Sequence, residues 1–121
     1  MQRRTLEKIS LAVIALLTLT LVGTSIHFER EVGRQKALFY ELQLLRTTVQ
    51  LYKSIRHANP PSLEALAMEE YQFPGEEVSR RFLEYPPSHD EQKLSDPFGT
   101  PYAYDQESAW VKSATQGYEQ W

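Results

Sequence analysis

The chain contains no cysteine, which excludes a disulfide framework and any thiolate metal site. It leaves the redox compartment open, because a disulfide-free domain can live on either side of a membrane. Histidine is sparse: His27, His57 and His89 lie far apart. None has a second ligand at a metal-binding interval, so each is read as a surface histidine. Glycine is scarce as well, and its five occurrences are never adjacent. No glycine-rich phosphate loop occurs, and no serine sits in a nucleophile elbow. Neither an enzyme nor a bound cofactor or metal is expected.

What is present is unevenly placed. The chain has 121 residues and a formal net charge of -3. Arg3, Arg4 and Lys8 stand against Glu7 at the start, and residues 27–58 hold six Lys or Arg against three Glu. From Asn59 onward there are four basic and twelve acidic side chains, a net of -8. An acidic domain repels phosphate backbones, so no nucleic acid partner is expected. The carboxylates are read first as a solvated face that keeps the domain soluble.

Ile9 to Ile26 carries no charge. As a helix its 18 residues span roughly 27 Å, close to the hydrocarbon thickness of a bilayer. The hydroxyls of Ser10, Thr18, Thr20, Thr24 and Ser25 are tolerable there, since each can bond back to a carbonyl one turn earlier. A soluble core helix apolar all round needs a protein large enough to wrap it, and this chain is too small. The run also exceeds the ~7–15 apolar residues of a signal peptide core, which makes a cut after Ser25 the weaker alternative. Arg3, Arg4 and Lys8 abut the span, whereas Arg30, Arg34 and Lys36 follow at a distance. The expected orientation is an N-terminus in the cytoplasm and an exported C-terminal domain, periplasmic or extracellular, on a single pass of the inner membrane.

Helical periodicity continues past the span. Leu38, Leu42, Leu45, Val49 and Tyr52 recur at alternating intervals of four and three, a stripe on one helix face. Leu44, Leu51 and Ile55 widen it beyond a strict seam. The pattern lasts little more than two heptads, so it is read as core against the chain's own sheet. A seam for a partner's helix, in a bitopic membrane adaptor, is the alternative. Pro60 and Pro61 are expected to end the helix, and Ser62 to cap a short second one with Leu63, Leu66 and Ala67 inward. VSRRFLEY at 78–85 is expected to form one more short helix. Tyr102–Tyr104 and AWVKS at 109–113 read as two strands of an antiparallel hairpin. Two strands alone are marginal in water, so they must lie on the long helix. Trp110 is assigned to the core, and Trp121 to pinning the chain end.

The most specific string is DPFGTPYAY at 96–104, a rigid turn feeding a strand. The Asp96 carboxylate can accept from backbone N–H groups two or three residues on, and Pro97 presets its own φ. Gly99 supplies a conformation other residues resist, and Pro101 straightens the chain toward Tyr102. With LRTTVQLYKSIRHANPPSLEAL at 45–66 and DPFGTPY at 96–102, the chain resembles the major pseudopilin of type II secretion systems, a relative of type IV pilins. Phe98 and Thr100 stand where that family usually has Trp and Asn.

The resemblance implies an α+β fold in which a long N-terminal helix, half of it transmembrane, packs on a small antiparallel β-sheet. The implied organisation is a basic N-terminus over 1–8, a span over 9–26, an amphipathic continuation over 27–59 and a head over 60–121. It also implies a structural subunit or accessory of a secretion or pilus-type machine. Its partners would be the membrane, other pilin-like or secretion-machine subunits, and further copies in a homo-oligomer. Members carry a leader ending in glycine, and an assembly glutamate follows it. No glycine precedes Gly23, so this chain is expected to keep its N-terminus and act as an anchored platform or cap. Glu7 is the candidate assembly residue, read otherwise as an ordinary interfacial side chain. The family's calcium loop would need more oxygens than Asp105, Glu107 and Glu119 offer, and no calcium site is expected.

Overall fold

The structure, a computed structural model, describes residues 2–87, 89–90 and 93–121, with the side chains of His89 and Asp90 outside the description. It is α+β, with one long N-terminal helix followed by short antiparallel strands. Helix α1 runs Gln2–Arg56. The chain divides into two compact units, Met1–Gly33 and Arg34–Trp121.

From Gln2 the first unit is helix, with its side chains exposed as far as Arg30, and Glu31 and Val32 half-buried. Among the described residues it holds the one stretch long and apolar enough to cross a membrane, none of it buried within the chain. Hydroxyls inside the stretch bond backward: Thr18 Oγ1 donates to the Ile14 carbonyl at 2.8 Å and Thr24 Oγ1 to that of Thr20 at 2.7 Å. Those protons need no water.

In the second unit the α1 stripe is the floor of the core. Leu38, Leu42, Leu45, Val49 and Tyr52 are each at most 8 % exposed. Leu63, Leu66, Phe82, Leu83, Leu94, Tyr102 and Val111 close over them. The helix stops at Arg56, short of the prolines, because His57 turns left-handed (φ 56°). Its N–H still reaches the Lys53 carbonyl at 2.9 Å, the geometry of a left-handed helix cap. Pro60 and Pro61 therefore follow the stop and prevent resumption.

Helix α2 is Leu63–Met68, capped by Ser62, whose Oγ accepts from the Ala65 N–H at 3.3 Å. Strands β1 (Glu70–Tyr71) and β2 (Arg80–Arg81) pair antiparallel, Glu70 with Arg81 and Tyr71 with Arg80. The short helix expected over 78–85 is thus a strand followed by bends. A helix that short has no stability of its own. Here the N–H groups of Phe82 and Leu83 bond the distant carbonyls of Glu69 and Leu66 at 3.3 and 2.9 Å, which drives both side chains into the core.

Strands β3 (His89–Asp90) and β4 (Lys93–Leu94) make a second pair. The third is the hairpin of β5 (Ala103–Asp105) and β6 (Trp110–Lys112), with Tyr104 opposite Val111. The strands form three separate two-stranded pieces, each too small to stand alone. Val111 points into the core, so strand alternation turns Trp110 outward, 52 % exposed. Its assignment to the core is corrected accordingly.

Candidate functional site

The DPFGTPY turn connects β4 to β5, and Asp96 is its centre. This carboxylate is 1 % exposed, a placement that demands partners for every oxygen. Oδ1 accepts from the Phe98 and Thr100 N–H groups at 3.0 and 2.9 Å. Oδ2 accepts from the hydroxyls of Ser113, at 3.3 Å, and Thr115. The backbone closes the loop twice more, Asp96 N–H to the Thr100 carbonyl and Gly99 N–H to that of Asp96. Gly99 has φ 86°, where a side chain would strain the backbone. Pro97 is partly buried, and Pro101 forms an isolated bridge with Ser95.

The turn locks onto α1 through Tyr102, whose hydroxyl donates to Glu41 Oε2 at 2.5 Å. Burial pushes the Glu41 carboxyl above its ordinary range; the Tyr102 bond opposes this and the Asp96 charge adds to it. Burial, with the neighbouring Glu41, pushes the Tyr102 hydroxyl well above its own. The phenol is the donor and the partly buried Glu41 carboxyl the acceptor.

Two further ties hold the C-terminal segment to α1. Arg46 Nε donates to the Val111 carbonyl at 3.0 Å and its Nη2 to the Trp121 main-chain oxygen at 2.5 Å. The same guanidinium lies 4.2 Å from the Trp110 ring centroid. Phe98 stacks on Tyr118 at 5.1 Å, while Gln35 Nε2 donates to the Tyr118 hydroxyl at 2.9 Å. Trp121 packs edge-on against Tyr118.

The structure therefore brings Tyr102 into the core with the stripe from Leu38 to Tyr52 and packs Phe98 against that core, whereas Asp96 and Pro97 hold the turn itself and Gly99 and Pro101 are exposed on it. Glu7 belongs to the first unit, where it is exposed and its carbonyl accepts from the Ser10 hydroxyl. Sequence reasoning missed Glu41, Arg46, Ser113, Thr115 and the stacking role of Tyr118. The alternation of Ser113 and Thr115 after a strand is the one hint that two hydroxyls face the same way.

Among the described residues no group of three or more His, Cys, Asp or Glu is placed to hold a metal ion. The buried side-chain polar atoms described all have partners. What the arrangement does chemically is fasten: a turn, a hairpin and a chain end are bonded to one helix. No family model matches the chain, and neither does any curated protein or solved structure.

Proposed function

We propose that this chain is a membrane-anchored, pseudopilin-like structural subunit or accessory protein of a type II secretion or type IV pilus-type machine. One observation carries the reading. A single helix, α1, includes both an apolar span with no cover in the chain and the stripe that forms the floor of a folded domain. A span of that kind needs lipid or other helices around it. The DPFGTPY turn, fastened to the same helix through Tyr102 and Glu41, adds support from the resemblance. In this reading the N-terminus is cytoplasmic and residues 34–121 face the periplasm or the outside. Copies and related subunits associate laterally through Ile9–Ile26. The adaptor alternative needs a free apolar seam over 38–55, and the chain's own Leu66, Leu83 and Val111 already occupy that seam.

Photo-crosslinking in native membranes tests the proposal. A photoreactive residue at Leu16 or Leu17 should yield adducts with pilin-like or secretion-machine subunits, identified by mass spectrometry. Adducts only with unrelated membrane proteins, or only from probes at exposed positions over 38–55, overturn it.

A further inference from the structure

After residue 58 the chain has only four basic side chains against twelve acidic ones. Two of the four, Arg80 and Arg81, are adjacent and form strand β2, with both residues exposed. They border a groove of about 370 Å³ whose walls include Tyr40 and Leu44 from α1, and Tyr71 and Tyr85. Tyr85 is 83 % exposed and Tyr40 69 %. Arg80 pairs weakly with Glu76 at 3.6 Å on the surface. Among the described residues Arg81 has no ion pair. The only paired arginines of an acidic domain thus sit among exposed tyrosines, and arginine and tyrosine are the residues that most often dominate binding energy at interfaces.

The patch carries its own complement. Glu84 lies in the groove wall beside Arg81 and Tyr85, and Glu76 and Glu77 are exposed on the loop before β2. A two-fold contact requires a surface that complements itself, residue i meeting j and j meeting i. Arginines next to glutamates, around exposed aromatic rings, meet that requirement. Resting on the anchoring reading above, two copies held in one membrane by the same span present like residues at like heights. That favours a patch meeting itself over one meeting a remote part of the neighbour. We infer that the Tyr40–Arg81–Tyr85 face is the contact between two copies of this chain, with Tyr85 near the two-fold axis and Arg81 of each copy against Glu84 of the other.

The absence of cysteine makes the test clean. A single Tyr85→Cys in the full-length chain, in membranes or detergent, is exposed to a mild thiol oxidant and read on a non-reducing gel. Two-fold contact places Cys against Cys and gives a disulfide dimer, several-fold more than Glu107→Cys on the exposed hairpin turn. Adding Arg81→Glu should abolish the dimer, and adding Glu84→Arg to that should restore it. Thermal melts check that these exposed substitutions leave the fold intact. Equal dimer from Tyr85→Cys and Glu107→Cys, or indifference to Arg81→Glu, overturns the inference. Sedimentation of the same sample with membranes reads the anchoring separately, so the two failures are distinguishable.

Discussion

Asp96 shows how one side chain can organise a region that has little regular structure. Its two oxygens take four donors, two from its own turn and two from the segment after β6. Asp96→Ala strands two partly buried N–H groups and two hydroxyls. It should cost about 3 kcal/mol in denaturant unfolding, and Asp96→Asn less, since the amide oxygen still serves the turn. The turn half of this network was legible in part: the bond from the Phe98 N–H, two residues on, follows from the local pattern, but the second comes from Thr100, four residues on, because the Gly99 N–H closes the turn on the Asp96 carbonyl. The hydroxyls of Ser113 and Thr115 come from 17 and 19 residues away, and no local pattern announces a bond across that distance.

Two other residues allow sharp tests at this scale. His57 is exposed and left-handed at the end of α1. His57→Gly should therefore stabilise the fold by about 0.5–1 kcal/mol, visible as a raised melting temperature. Glu41 has a raised carboxyl pKa, so the folded state holds its proton more tightly than the unfolded chain. Its contribution to stability is full below the ordinary value of 4.5 and is lost as pH rises through the folded value. Unfolding titrations of Glu41→Gln should lose that decline. An unchanged pH profile would contradict the burial described here.

Among the elements, α1 was the most legible and the strands the least. The stripe from Leu38 to Tyr52 could be read from its spacing, because helical period and burial coincide over four turns. Leu45 is fully buried, and Leu45→Ala should cost about 2–5 kcal/mol, read as a lower denaturant midpoint at unchanged slope. The hairpin was visible from alternating aromatics, yet which residue faced inward was not, since Trp110 and Val111 are both apolar. Val111 fits the helix stripe, and Arg46 covers the displaced indole. Strand β2 was illegible: its arginines gain their extended form from pairing with β1, a tertiary cause. Arg46 ties β6 to α1 by a forked geometry that lysine cannot copy. Arg46→Lys should accelerate amide hydrogen exchange across Trp110–Lys112 and spare that of α2.

For the whole molecule, charge and hydropathy divide the labour. The uncharged run from Ile9 to Ile26 has no cover of its own, while the acidic remainder is held together by a small core. A core of this size, drawn from fewer than a hundred residues, gains from an anchor or neighbours. That division was written in the sequence, since it depends on composition over long windows and not on any single contact. The surface that neighbours would touch was not, because Tyr40, Arg81 and Tyr85 meet only once the chain has folded.

The most direct measurement is alkaline carbonate extraction of membranes containing the full-length chain, alongside Leu16→Arg/Leu17→Arg. Each arginine at the centre of a span costs about 2.5–3.5 kcal/mol of insertion. The unaltered chain should stay in the pellet and the double variant should move to the supernatant. Release of the unaltered chain, or equal retention of both, would contradict the account of residues 9–26 as a membrane anchor.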